Sequence, residues 1–235
     1  MGRQRDEPAT TVELRSVAEL RGVTVRFGQV VALAEVSLRA EAGELVAVTG
    51  PSGAGKSTLL WALAGAVPAA AGEVLIGGVG LRGRDDAADR GVGLVPQGNG
   101  LATVLTAYEN VVLPMLACGV EPGAAHERAR AALAGVGLEE SADHLVEELS
   151  GGQQQRVAVA RTLAADPQIL LADEPTSELD HVNRERILQL LQARAAAGRV
   201  VVMATHDPEA AQQADRVVRL DEGRIVGAPP GDGLA

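Results

Sequence analysis

The amino-acid sequence predicts an α/β fold in which helices cover both faces of a parallel β-sheet. Short apolar runs, several of them rich in β-branched residues, have the length and composition of buried strands. Stretches of helical composition alternate with these runs, and that order is typical of parallel sheets. Between residues 101 and 165 the strand-like runs disappear and Ala, Leu and Glu become frequent. We interpret this segment as a helical insertion.

Strands are predicted from two kinds of pattern. Apolar and polar residues alternate in Leu20–Phe27 and Val31–Ala40, as in strands with one buried face. Compact apolar runs predict further strands at Leu45–Thr49, Glu73–Ile76, Val92–Val95, Gln168–Ala172 and Arg199–Met203. The C-terminal part, Asp215–Val226, has the pattern of a hairpin that turns at Glu222 and Gly223.

Helices are predicted where the composition favours them, and they end at residues that cannot continue them. One helix spans Lys56–Val67 and stops at Pro68. A second spans His181–Ala197. The helices of the insertion are expected to break at Pro114, at Pro122 and at Gly135–Gly137.

Composition and charge exclude several classes of protein. A length of 235 residues suits one large domain, or a core with a subdomain. The net charge of −10 argues against a nucleic-acid partner, because such a protein needs a basic face. Cys118 is the only cysteine, so an internal disulfide and a cysteine-based zinc site are both excluded. We expect a reducing compartment.

Segments for secretion or membrane insertion are not predicted. Met1–Arg15 is polar and lacks the apolar stretch of a signal peptide. The most apolar uncharged stretch, Leu59–Gly72, is interrupted by Pro68 and is shorter than the ~20 residues of a membrane span. We therefore expect a soluble, cytoplasmic protein.

The sequence Gly50-Pro-Ser-Gly-Ala-Gly-Lys-Ser57 has the spacing of a phosphate-binding loop and lies between a predicted strand and a predicted helix. Glycines let backbone N–H groups face a phosphate, and the helix N-terminus favours the anion. Lys56 is the only lysine among 21 basic residues, which suggests that a compact ammonium is needed there. It would contact the β- and γ-phosphates, while the Ser57 hydroxyl would bind Mg²⁺. The alternative is a purely structural Gly-rich turn.

Two carboxylates follow the apolar run that starts at Ile169. Burying such a pair is costly unless a cation or a phosphate-bound water compensates. Asp173 is suited to holding Mg²⁺ through water, and Glu174 to polarising an attacking water. A solvated strand end is the alternative, but the neighbouring phosphate loop favours the functional interpretation.

A third motif, Leu149-Ser-Gly-Gly-Gln153, precedes the predicted helix that continues through Leu163. Ser150 could simply cap that helix. The free amides and hydroxyl of this segment would equally suit a second anion site. With this motif the chain resembles the ATP-binding-cassette (ABC) ATPases, whose signature reads LSGGQ. The resemblance covers about residues 14–226.

The resemblance implies a RecA-like P-loop NTPase core with an antiparallel β subdomain and an inserted α-helical subdomain. We expect a single domain at 14–228, flanked by tails at 1–13 and 229–235. The core would comprise 14–97 and 165–228, and the helical subdomain 98–164.

The resemblance also implies roles for individual residues. Phe27 would stack on adenine, although an ordinary strand aromatic is the alternative, and Gln97 would touch Mg²⁺ as the Q-loop glutamine. Ser177–Asp180 would form the D-loop at a dimer interface, with Asp180 as its site residue. His206 would contact the γ-phosphate, unlike the other histidines, which we expect at the surface. The implied ATP-binding residues are Phe27, Gly50, Pro51, Ser52, Gly53, Ala54, Gly55, Lys56, Ser57, Thr58 and Gln97.

The remaining implied sites fall into three sets. The catalytic residues would be Lys56, Glu174 and His206. The magnesium ligands would be Ser57, Gln97 and Asp173. The signature residues, which would bind the ATP of a partner subunit, are Ser150, Gly151, Gly152 and Gln153. The sequence departs from the family's common pattern at Pro96, which replaces an aromatic residue, and at Glu178, which replaces a small one.

Two functions remain open on this evidence. The first is the ATPase subunit of a transporter, which dimerises on ATP with a second ABC ATPase subunit, either an identical or a different chain. This dimer would drive separate permease subunits from the inner face of the cell membrane. The segment Leu105–Pro114 is similar to the macrolide-export, lipoprotein-release and cell-division branch, which favours export. The alternative is a non-transport ATPase that signals through a membrane partner. A GTPase is excluded, because its Asn-Lys-x-Asp motif needs a second lysine.

Overall fold

The computed structural model describes residues 17–227, so the predicted tails at 1–13 and 229–235 lie outside the described residues. The strands in this range are β1 (Val17–Phe27), β2 (Val30–Glu41), β3 (Leu45–Thr49), β4 (Ala71–Ile76), β5 (Val79–Gly80), β6 (Val92–Val95), β7 (Ile169–Asp173), β8 (Val200–Ala204), β9 (Arg216–Asp221) and β10 (Arg224–Val226). The helices are α1 (Lys56–Leu63), α2 (Arg84–Asp89), α3 (Ala107–Ala117), α4 (Pro122–Gly135), α5 (Gly151–Ala164), α6 (His181–Ala196) and α7 (Pro208–Gln212).

The strands form two sheets. A four-stranded antiparallel sheet has the order β2-β1-β4-β5, and a six-stranded sheet has the order β10-β9-β3-β8-β7-β6. All neighbouring pairs in the larger sheet are parallel except β9 and β10, which form the predicted hairpin. Three of the helices, α3, α4 and α5, lie between β6 and β7 in sequence. The predicted fold class is confirmed.

Side chains of the parallel strands alternate between two hydrophobic clusters, one on each face of the sheet. In β8, Val201 and Met203 pack with the helices α3 to α6, while Val200 and Val202 pack with α1 and the antiparallel sheet. All four side chains are fully buried. A strand that is covered on both faces must be apolar at every position, which explains the continuous apolar runs of the sequence.

The first helix ends earlier than predicted. We expected it to reach Val67 and to stop at Pro68, but α1 ends at Leu63. Gly65 has a positive φ of 65°, and its N–H donates to the carbonyl of Ala62. A glycine in this conformation closes the last helical turn, so it ends the helix before the proline is reached.

The predicted break at Pro114 is wrong. Pro114 is the eighth residue of α3, which continues to Ala117. The helix buries Val111, Val112 and Met115 against the helical core cluster, and this packing outweighs the hydrogen bond that a proline removes. Pro122, by contrast, stands in the first turn of α4, where proline is well tolerated.

The carboxyl ends of the parallel strands meet at one edge of the larger sheet. The phosphate loop follows β3, Gln97 follows β6, Asp173 ends β7 and His206 follows β8. Ligands of open α/β sheets bind at this edge. Within residues 17–227, no helix combines the length and the apolarity that crossing a bilayer requires.

Candidate functional site

The loop between β3 and α1 is shaped for an anion. Gly50 has a φ of 149°, and a Cβ atom there would stand 2.0 Å from the carbonyl oxygen of Leu220, so only glycine fits. Gly55 occupies the N-cap position of α1 and offers no side-chain hydrogen bond to the first turn. The N–H groups of that turn therefore lack a side-chain cap and can donate to a bound phosphate.

Lys56 lies within this loop and is almost buried, with 8% of its surface exposed. Its Nζ donates to the carbonyl oxygens of Gly50, at 2.9 Å, and of Pro51, at 3.2 Å. Nζ is also 4.0 Å from Oε1 of Glu174. An ammonium has three donors, so these two hydrogen bonds leave one for a ligand.

The end of β7 has the donors that Mg²⁺ prefers. The Asp173 carboxylate is 2% exposed, and its Oδ1 atom is buried without a hydrogen-bond partner. Burial raises the pKa of Asp173, while a hydrogen bond with Ser57 opposes that rise. The described residues contain no cluster of three or more His, Cys, Asp or Glu side chains for a metal. A hard cation held by one carboxylate, one hydroxyl and the substrate's phosphates fits this arrangement.

Glu174 is held between two basic groups. Its Oε2 atom is 2.9 Å from Nδ1 of His206 and accepts a hydrogen bond from the backbone N–H of His206 at 3.3 Å. Its Oε1 atom faces Lys56. The residue has a φ of 50°, a conformation that costs a non-glycine residue about 1–3 kcal/mol and is frequent at active sites. The fold thus fixes this carboxylate at the edge of the cleft.

Most of these residues line one cleft of about 530 Å³. The cleft contains ten of the predicted site residues: Ser52, Gly53, Gly55, Lys56, Ser57, Thr58, Gln97, Asp173, Glu174 and His206. Gly50, Pro51 and Ala54 belong to the loop but do not line the cleft. His206 is readily accessible from solvent, with 64% of its side chain exposed.

Phe27 is not among the residues that line the cleft. It is 47% exposed at the end of β1, where it pairs with Val30 of β2. Val30 does line the cleft and is 65% exposed, so the hairpin of β1 and β2 supplies an apolar border. Stacking of adenine on Phe27 stays a prediction.

Sequence reasoning missed five residues of the cleft: Val30, Val31, Ala32, Glu222 and Gly223. The turn between β9 and β10 reaches the phosphate loop, since the N–H of Gly223 donates to the carbonyl of Ala54. No local pattern indicates this approach, because it follows from the order of strands in the sheets.

The signature segment lies outside this cleft. Ser150 is the N-cap of α5, and it forms a capping box with Gln153, in which each side chain accepts a hydrogen bond from the other's backbone N–H. Ser150 therefore caps α5, as the structural interpretation of this motif predicted. Ser150, Gly151 and Gly152 are not among the residues that line the cleft beside their own phosphate loop.

Asp180, predicted to be the site residue of the D-loop, also lies outside the cleft and caps α6. Hydrogen bonds from the backbone and side chain of Asn183 hold the pKa of Asp180 below its usual value. Its neighbour Glu178 lies beside the signature segment, where a Cβ atom on Gly151 would be 2.5 Å from Oε2 of Glu178.

Comparison with known proteins gives a consistent family match. The sequence profile of the family described as "ABC transporter" matches residues 33–177. An uncharacterized ABC transporter ATP-binding protein of Mycobacterium tuberculosis is 45% identical over 196 residues, which cover 81% of this chain and 59% of that protein. The chain thus spans less than two thirds of the length of such relatives.

A relative of similar length is the lipoprotein-releasing system ATP-binding protein LolD of Chromohalobacter salexigens. It is 44% identical over 202 residues, covering 83% of this chain and 85% of LolD. Among solved structures, the dimeric post-hydrolysis state of the ATP-binding cassette MJ0796 bound to ADP and Pi has a TM-score of 0.84 and 35% identity. The match covers 92% of this chain and 100% of that chain.

Proposed function

Since the chain belongs to the ABC transporter family as one of its ATPase cassettes, we propose that it hydrolyses ATP to drive separate membrane-embedded subunits. The similarity to LolD supports the macrolide-export, lipoprotein-release and cell-division branch that the segment Leu105–Pro114 suggested. The relatives named above carry the names of transporter components, and no observation favours the signalling alternative.

The position of Glu174 is the observation that carries the proposed activity. Its carboxylate lies in the cleft between Lys56 and His206, one residue after the buried Asp173. A general base must be fixed close to the water that it activates. Here the base stands beside a phosphate loop, as hydrolysis of a terminal phosphate requires.

The remaining groups would position the triphosphate and neutralise its charge. The uncapped N–H groups at the start of α1 would donate to phosphate oxygens, and Lys56 would supply a point charge. Mg²⁺ would neutralise charge on the phosphate oxygens, held by Ser57 and Asp173 with Gln97 nearby. His206 would donate to the γ-phosphate, and Glu174 would accept a proton from the attacking water.

We place the second half of the ATP site on a partner cassette. Ser150, Gly151, Gly152 and Gln153 lie outside the cleft, and a triphosphate bound to Lys56 would have one side open to water. In a head-to-tail dimer the signature amides of one chain would cover that side. The dimeric form of MJ0796 supports this arrangement. Binding of ATP would close the dimer, and loss of the γ-phosphate would weaken it.

The membrane partner is proposed to be a polytopic permease, which would hold the cassette at the cytoplasmic face of the membrane. The direction of transport is proposed to be export, on the similarity to LolD. Affinity purification of the chain from membranes tests this point. We expect a protein with many membrane spans to co-purify, and ATP hydrolysis by the complex to require Glu174. Recovery of a complex with division or cell-wall proteins but no substrate transport would favour the signalling alternative.

A further inference from the structure

Gln155 is a buried polar residue, and none of the predictions from the sequence gives it a role. It stands on α5, two residues after the signature segment, and only 3% of its surface is exposed. Its Nε2 atom donates to the carbonyl oxygen of Glu174, at 2.6 Å, and to Oγ of Ser177, at 3.3 Å. Its Oε1 atom accepts from the backbone N–H of Glu178 at 3.0 Å. Both ends of the amide are therefore satisfied.

These hydrogen bonds fix the backbone of the proposed general base. The carbonyl oxygen of Glu174 accepts from Gln155 and, at 3.1 Å, from Oγ of Ser177. The N–H of Glu174 donates to the carbonyl of Ala204, at the end of β8 and shortly before His206. A residue in the left-handed region keeps that conformation only when its surroundings over-determine it. Gln155 supplies one of those constraints from α5.

The same side chain joins two segments that serve different ATP molecules in the proposed dimer. Through α5 it is rigidly connected to the signature residues, which would contact the partner's ATP. Through Glu174 it contacts the base that would act on the ATP of its own chain. The backbone N–H of Glu178, in the predicted D-loop, completes the connection. A shift of α5 on capture of the partner's ATP would therefore reach Glu174 through a single buried amide.

We propose that Gln155 is a positioning residue that couples the two ATP sites of the dimer by orienting Glu174 according to the state of the signature helix. The proposal rests on the proposed function, because it needs a dimer that binds two ATP molecules. Gln155 itself touches neither the phosphates nor the water.

The test is the substitution Gln155→Glu, which keeps the side-chain volume and the acceptor but replaces the donor that faces the carbonyl of Glu174. We expect kcat to fall by about 10- to 100-fold, because a displacement of a catalytic group by about 1 Å can cost on the order of 100-fold in rate. We also expect the KM for ATP to change by less than about threefold, since the phosphate-binding groups are untouched. The Hill coefficient of hydrolysis should fall from above 1 in the parent to 1.

Thr162→Val is the matched control on the same helix. Thr162 is also buried, and its Oγ1 donates to the carbonyls of Ala158 and Leu94, away from Glu174. This variant loses a buried hydrogen bond as well, and we expect it to keep the parent's kcat and cooperativity. If it loses them as Gln155→Glu does, the effect reflects general stability and the inference is wrong.

Ser177→Ala provides a second variant should Gln155→Glu not fold. Ser177 is exposed, and its hydroxyl is the other side-chain donor to the carbonyl of Glu174, which also accepts from the backbone N–H of Ser177 at 3.3 Å. We expect a smaller loss of kcat, about 3- to 10-fold, with KM again unchanged. If the parent hydrolyses ATP cooperatively and the variants keep its kcat or its cooperativity, the inference about Gln155 is wrong while the proposed function stands. A parent without ATP hydrolysis overturns the proposed function itself.

Discussion

Lys56 occupies a position in the phosphate loop where the other basic residue of this chain, arginine, does not fit. It is the only lysine of the chain, and its ammonium lies in a space bounded by the carbonyls of Gly50 and Pro51 and by Glu174. The guanidinium of arginine is larger and planar, and its donors are arranged as a fork. It cannot take the position of Nζ without displacing the loop or Glu174.

We therefore predict that Lys56→Arg lowers the affinity for ATP by about tenfold or more although the charge is retained. Equilibrium titration with a fluorescent ATP analogue measures this change, and thermal unfolding shows whether the variant is folded. Affinity equal to that of the parent would show that charge alone matters at this position.

Glu174 is the second residue whose role can be isolated. Glu174→Gln removes the basic oxygen but keeps the shape of the side chain and its contact with His206. We predict that turnover falls by about 10²–10⁴-fold while ATP binding is retained. Phosphate release measures turnover. Glu127→Gln, on the exposed face of α4, is the control that should behave as the parent. Near-normal hydrolysis by Glu174→Gln would remove Glu174 as the base.

At the scale of single residues, much of the cleft could be predicted from the sequence because its groups lie in short contiguous motifs. The phosphate loop and the pair Asp173 and Glu174 are examples. Glu222 and Gly223 could not be predicted, since they reach the loop only through the pairing of β9 with β3. Gln155 was missed because its partners are about twenty residues away in sequence.

At the scale of elements, α5 combines a structural and a proposed functional role at its first turn. Ser150 caps the helix, and the neighbouring amides are proposed to bind the partner's ATP. Aspartate is as good an N-cap as serine, but its charge would repel a triphosphate. One substitution can therefore separate the two roles.

We predict that Ser150→Asp leaves the free energy of unfolding within about 0.5 kcal/mol of the parent, since capping is preserved. ATP-driven dimerisation should be lost, while the affinity of the monomer for ATP stays unchanged. Chemical denaturation and light scattering measure the two quantities, and Ser150→Asn is the neutral capping control. Dimerisation of Ser150→Asp with the parent's ATP dependence would contradict the placement of the signature in the second half-site.

Prolines and glycines at helix ends show the limits of prediction at this scale. The sequence located α4 and α6 well. The helix α4 begins and ends at the predicted breaks Pro122 and Gly135, and α6 spans His181–Ala196 where His181–Ala197 was predicted. It failed at Pro114, where tertiary packing of α3 outweighs the local cost of proline. Short elements such as β5, α2 and α7 were not predicted, because two to six residues carry too little periodicity.

At the scale of the whole molecule, the sequence predicted the fold class because both of its sheets leave distinct patterns. The buried parallel strands are continuously apolar, whereas β1 and β2 alternate buried and more exposed residues. The order of strands could not be derived from these patterns, since it depends on long-range pairing. The division into a core and a helical subdomain at residues 98–164 stays a proposal.

The central claim is that one ATP molecule is bound between the phosphate loop of one chain and the signature residues of another. The cleft holds ten predicted site residues in one chain and leaves the signature residues outside it. Neither half alone would surround a triphosphate. The proposed ATP-dependent dimer would bring the two halves together around one triphosphate.

The most direct measurement is the molar mass of Glu174→Gln in solution with and without ATP and Mg²⁺, by light scattering coupled to size exclusion. The account predicts a monomer without nucleotide and a dimer with ATP, and a return to monomer when Ser150→Asp is added to the same chain. A protein that binds ATP but remains monomeric, both alone and with its membrane partner, would contradict the account.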